Sequence, residues 1–108
     1  MAVKILIKRT ASKNKVEKMK PLLVEMRTLA MRQQGYISGE TLKSLEKPET
    51  FLVVSTWASP AHWEKWMLSG ERKHIQEQMD PLLEGKTEYE LYHLGIDDKD
   101  VTIDQKFL

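Results

Sequence analysis

Val3, Ile5 and Ile7 alternate with Lys4, Leu6 and Lys8, the period of two that gives a strand one clean apolar face. From Val16 the period lengthens. Val16, Met19, Leu22, Leu23, Met26, Leu29, Ala30 and Gln33 trace a stripe at helical spacing, and Asn14 to Glu17 has the spacing of a capping box. Pro21 falls inside that stripe; it removes one backbone donor and predicts a kink within a single helix. Gly35 stands where a left-handed C-cap belongs. Alternation resumes from Tyr36 to Leu45, with Tyr36, Ser38, Glu40 and Leu42 expected on one side and Ile37, Gly39 and Thr41 on the other. Gly39 signals a bulge or a close backbone approach. The short turn at Lys47-Pro48-Glu49 makes the following strand an antiparallel neighbour.

Phe51-Leu52-Val53-Val54 is a continuous apolar run, the pattern of a strand covered on both faces. Ser59-Pro60 supplies an N-cap hydroxyl and a proline for the first helical position, so the strand feeds straight into a helix. On that helix Trp63, Trp66 and Met67 share one face, aimed back at the sheet, where they build a core or the wall of a pocket. Ser69-Gly70 leaves two outcomes open for the segment carrying His74, Ile75, Met79 and Leu82. An unbroken helix would place His74 about 20° from the line of Trp63 and Met67, pointing into the aromatic cluster; a break would turn it away. Pro81 and Gly85 close the segment, and Lys86 to Leu94 reads as the last strand.

The order is therefore βαββαβ: an α+β, ferredoxin-like domain with an antiparallel sheet and helices on one face, over residues 1–95, followed by a polar tail over 96–108. Leu6, Leu52, Val54 and Leu94 leave the uncovered sheet face apolar. A second copy packing sheet to sheet is the expected cover, giving a homodimer, with Phe107-Leu108 in reach of the partner.

Composition narrows the chemistry. The 108 residues are 41% hydrophobic and 31% charged, the balance of one soluble domain. The chain has no cysteine, which rules out disulfides, a thiol nucleophile and thiolate metal sites. No two of the three histidines have metal-ligand spacing, so no zinc or non-haem iron site is expected. A net charge of +1 argues against a nucleic-acid partner. No run approaches the roughly 18 apolar residues of a membrane span, and the first residues do not open a secretory signal, so a cytoplasmic protein is expected. No GxGxxG or phosphate loop occurs, and no cofactor is expected. Lys4, Lys8 and other cations crowd the first third of the chain while Asp97, Asp98, Asp100 and Asp104 crowd its end. This predicts attraction between neighbouring strands or subunits, with an anion site near Lys4 and Lys8 as the sharper reading.

Each tryptophan stabilises a core by about 2–3 kcal/mol whether or not it also meets a ligand. Aromatic walls with a few polar groups nevertheless suit flat hydrophobic ligands. Trp66 and Trp63, with Tyr36, Tyr92 and Lys8 as polar partners, are the candidate substrate-binding set. His74, whose ordinary pKa is about 6.5, is the candidate general base.

Gly35-Tyr36-Ile37-Ser38-Gly39-Glu40-Thr41-Leu42, Phe51 to Trp57 and Trp63-Glu64-Lys65-Trp66 together resemble the antibiotic biosynthesis monooxygenase domain family, across about residues 2–94. The resemblance implies a dimeric α+β barrel. Members include cofactor-free oxygenases acting on polyketide quinols and anthrones, haem-degrading monooxygenases, and small proteins with no known reaction. It thus implies a cofactor-independent monooxygenase oxidising a small electron-rich aromatic, with Trp66 and His74 catalytic; a non-enzymatic dimeric binding module is the alternative. In the haem-degrading branch Trp66 matches the pocket tryptophan. His74, as the only candidate haem ligand, sits too near Trp66, and Lys8 stands in place of the first-strand asparagine, so haem is not the expected ligand.

Overall fold

The structure of the protein is a computed structural model that describes residues 1–94. Strand β1 (Val3–Thr10), helix α1 (Val16–Ala30), strands β2 (Tyr36–Lys43) and β3 (Thr50–Trp57), helices α2 (Pro60–Met67) and α3 (Gly70–Met79) and strand β4 (Glu88–His93) follow one another, with a 3-10 turn at Asp80–Leu82 before β4. The strands form one antiparallel sheet in the order β2-β3-β1-β4, and the fold is the expected α+β, ferredoxin-like one. The tail over 96–108, including Phe107-Leu108 and its aspartates, lies outside the described residues. Among the described residues no helix is long and apolar enough to cross a membrane.

Register fixes the two faces. Val3, Ile5, Ile7 and Arg9 of β1 lie opposite Trp57, Ser55, Val53 and Phe51 of β3, and this set faces the helices. Met19, Leu23, Met26 and Ala30, the buried part of the α1 stripe, pack on it with Trp63 and Trp66 of α2 and Ile75 and Met79 of α3. The other face carries Lys4, Leu6 and Lys8 beside Thr56, Val54 and Leu52, with Glu88, Glu90 and Tyr92 on the β4 edge. Leu52 and Val54 are only half-buried, as expected of a strand whose second face lacks helices.

Several local expectations are corrected. Asn14 takes a left-handed φ of 67° and cannot cap; Lys15 is the N-cap, without a side-chain cap, because an N-cap oxygen reaches the first turn from extended backbone. α1 runs through Pro21 as one helix but stops at Ala30, so Gly35 is not its C-cap. Gly35 is left-handed, with φ +88°, in the turn that starts β2, where its carbonyl accepts the Ala58 N–H at 2.7 Å. A Cβ there would sit 2.2 Å from the His62 ring. Gly35→Ala is therefore expected to lower stability by about 1–2 kcal/mol from backbone strain alone, read by urea unfolding.

An irregularity between Tyr36 and Ser38 sets Ile37 aside and moves Tyr36 off the side it was expected to share with Ser38, Glu40 and Leu42. Tyr36 thereby shares the helix-facing side with Gly39 and Thr41, and its hydroxyl lies 2.5 Å from where a Gly39 Cβ would be. That is the close approach Gly39 signalled. Ser59 caps α2 as expected, accepting from the His62 N–H at 3.2 Å with Pro60 at the first position.

The helix does break. α2 ends at Met67, and Ser69 starts α3 by accepting from the Arg72 N–H at 3.2 Å. The new phase turns Arg72, Ile75 and Met79 inward and leaves His74 exposed.

Candidate functional site

Where α1 and α2 cover β2 and β3, a cavity of about 40 Å³ remains between them, with a mouth at Arg27 and Thr41. That volume holds about three water molecules. Trp57 organises its wall. Its ring stacks on Trp66 at 6.4 Å, meets Trp63 at 6.0 Å and takes the edge of Tyr36 at 5.4 Å. The Trp57 indole donates to the Ser55 hydroxyl at 3.1 Å, which satisfies it within β3. Trp63 is 1% exposed, and its indole N–H has no partner among the described residues.

The polar element of this cavity is Arg9, 2% exposed, on the inward side of β1. One Nη2 donates to Gln76 Oε1 at 2.8 Å and approaches Met26 Sδ at 3.5 Å, while its Nε has no partner. Burial is the main reason its pKa is pushed down to about 10, with Arg72 adding to the depression against the opposing pull of Tyr89 and Asp80. Behind Trp63 lies a second buried guanidinium. Arg72 donates to the Tyr89 hydroxyl and lies over the Trp63 and Tyr89 rings at 5.6 and 5.3 Å. Gln76, held by Asp80 and Thr87 at 2.7 and 3.0 Å, fixes the end of α3 against Arg9.

Of the residues singled out from the sequence, Trp63, Trp66 and Tyr36 come together at the cavity. Lys8 and Tyr92 do not: they project from the outer sheet face, where Tyr92 donates to Glu90 at 2.6 Å. That hydrogen bond, with the Glu90 charge, raises the Tyr92 pKa. Lys8 borders an open groove in which it, Lys13 and Lys47 stand with Glu49, Glu84 and Glu88. His74 is exposed on α3 and does not line the cavity. Arg9, Trp57 and Arg72 were missed. Arg9 had a signal, since a cation at the next inward position after Val3, Ile5 and Ile7 breaks the strand's apolar face.

Haem does not fit this arrangement. Its candidate ligand His74 faces solvent and does not line the aromatic cavity. Among the described residues no three His, Asp or Glu side chains gather as a metal-binding group.

Residues 2–78 match the sequence profile of the family described as antibiotic biosynthesis monooxygenase. No curated protein matches the chain by sequence. Among solved structures the fold is similar to a conserved protein from Methanosarcina mazei Go1, at 20% identity over 86% of this chain and 92% of that one, with a TM-score of 0.81. It is similar to Rv0793 from Mycobacterium tuberculosis at 14% identity over 93% and 100% of the two chains, TM-score 0.80. SnoaB, a cofactor-independent oxygenase from Streptomyces nogalater, aligns at 11% identity over 92% of this chain and 98% of its own, TM-score 0.78.

Proposed function

Because the chain belongs to the antibiotic biosynthesis monooxygenase family, we propose that its aromatic cavity binds a small electron-rich aromatic, such as a quinol or an anthrone, and oxidises it with dioxygen without a bound cofactor. The observation that carries this reading is the wall of Trp57, Trp63, Trp66 and Tyr36 around a space that contains one buried cation. SnoaB, described as a cofactor-independent oxygenase, gives the reading a precedent on a similar fold.

For an anthrone the reaction is methylene plus dioxygen to ketone plus water. The substrate loses a proton, its carbanion reduces dioxygen, a carbon–oxygen bond forms, and the oxygen–oxygen bond breaks as water departs. The protein's share is orientation between the indoles and exclusion of water. Neither histidine nor carboxylate is among the described residues lining the cavity, so the proton leaves towards solvent through the mouth between α1 and β2, and solvent returns one to the departing hydroxide to complete the water. That mouth is spanned by Arg27, whose Nη2 donates to the Gly39 carbonyl at 3.1 Å. A ring enters by breaking this exposed hydrogen bond and separating α1 from β2.

The same reading places a second copy on the outer sheet face. Leu6, Leu42 and Leu52 line a shallow groove there of about 360 Å³ with Lys8 and Glu90, and the cations of β1 stand beside the carboxylates of β4. A two-fold copy of this face meets apolar with apolar and opposite charges with one another.

The test is oxygen uptake with a panel of quinols and anthrones and no added flavin, metal or haem. Uptake above the protein-free control is expected, with kcat/KM reduced roughly tenfold or more in Trp66→Phe through misorientation. His74→Ala is expected to leave it unchanged. No uptake across the panel, with the aromatics still binding, transfers the chain to the non-enzymatic binding-module reading.

A further inference from the structure

Two buried donors at the cavity have no acceptor. Arg9 Nε–H and Trp63 Nε1–H both belong to residues that line it, both side chains are at least 98% buried, and neither atom has a partner among the described residues. A buried donor left unpaired costs about 1–3 kcal/mol, so the space beside it favours an acceptor. In the closed cavity water can serve; in a loaded one a ligand atom must.

Charge points further. No Asp or Glu is among the described residues lining the cavity, whereas Arg9 stands within it and Arg27 at its mouth. The partners Arg9 does have, Gln76 Oε1, Met26 Sδ and the Tyr89 hydroxyl, include no carboxylate. Its nearest electrostatic neighbours include Arg72, a second cation, and the exposed Asp80 lies beyond Gln76. A guanidinium held in an aromatic box without an adjoining carboxylate leaves its charge for something that enters.

We infer that the cavity takes its ligand as an anion: an aromatic bearing an ionised oxygen, carboxylate or phenolate, seated on the Nε–H of Arg9 and the indole N–H of Trp63, its ring against the aromatic wall of Trp57 and Trp66. The inference rests on the aromatic-cavity reading above and names the ligand class that site selects. For a phenolate it also accounts for a cavity with no general base, since a hydroxyl that arrives ionised needs none for its proton. Arg27 at the mouth faces the anion's approach and releases Gly39 as the ligand passes.

The test is a calorimetric titration, repeated by tryptophan fluorescence, of the purified chain with 2-naphthoate, with the neutral alcohol of the same shape, 2-naphthalenemethanol, and with 4-nitrophenol on either side of its ionisation. The carboxylate or the phenolate is expected to bind roughly 10- to 100-fold more tightly than its neutral counterpart, the scale of charge-assisted hydrogen bonds. Which of the two anions gains more tells the sources apart. Arg9→Met, first checked for cooperative unfolding, is expected to abolish the preference, and Arg9→Lys to keep part of it. Equal affinity for charged and neutral forms in the unmodified protein overturns the anion inference and leaves the aromatic cavity standing. Binding of none of the probes overturns the cavity reading and this inference with it. A preference that survives Arg9→Met removes the anion from Arg9 and overturns the assignment.

Discussion

Arg9→Met is expected to unfold at higher denaturant concentration than the unmodified protein, gaining about 1–3 kcal/mol. Arg9 is 2% exposed, and its pKa in the folded chain is pushed down to about 10, chiefly by burial. A cation whose folded pKa lies below its unfolded one costs stability at every pH under the folded value. At neutral pH that cost is complete, about 3 kcal/mol, and it is relieved only as pH rises through 10. Methionine matches the length of the arginine stem and brings no charge. The loss to set against the gain is the 2.8 Å bond to Gln76, a half-buried side chain, and the interaction with Tyr89. Urea unfolding at neutral pH, with the m-value compared between variants, reads the difference. A protein that keeps a destabilising cation in its core keeps it for what the charge binds, so the more stable variant is also expected to be the functionally poorer one. Arg9→Met less stable than the unmodified protein would make Arg9 a structural anchor.

Val54→Lys is expected to convert a dimer into a monomer. Val54 lies on the outer face of β3, opposite Leu6 and Glu40, and is half-buried within one chain. In a single chain the new ammonium reaches water and the fold survives. In a sheet-to-sheet dimer two-fold symmetry buries it twice, each cation costing several kcal/mol, so the dissociation constant rises by roughly 10³-fold or more. Light scattering at micromolar concentration reads the mass, and far-ultraviolet circular dichroism separates a folded monomer from an unfolded chain. A monomer in the unmodified protein would refute the paired-sheet reading.

The element order can be read along the chain, because each element carries its own period: alternation through Val3–Ile7, a helical stripe from Val16 to Ala30, a continuous apolar run at Phe51–Val54. Ser59-Pro60 announced α2 for the same reason, since a cap hydroxyl and an N1 proline act within one turn. Three of the cavity residues, Tyr36, Trp63 and Trp66, were legible as well, being large aromatics on elements whose inner faces are set locally. Where the local rule met a competing one, the sequence fell short. Asn14 and Gly35 were given capping roles that depend on where α1 begins and ends, and those limits are set by packing on the sheet. Parity in β2 turned on a single residue set aside at Ile37, which alternation cannot see.

Tertiary structure alone decided the chemistry of the site. His74 and Arg72 are two residues apart, and which of them faces inward depended on whether Ser69-Gly70 restarted the helix. The Ser69 cap restarted it, and the rotation turned Arg72 inward behind Trp63 and left His74 exposed. Lys8 and Arg9 are neighbours in the chain, yet the pleat sends one to the outer face and the other into the core, and only the sheet register says which face the helices cover. A period places a residue on a face of its own element. It takes the packing of one element on another to say what that face meets.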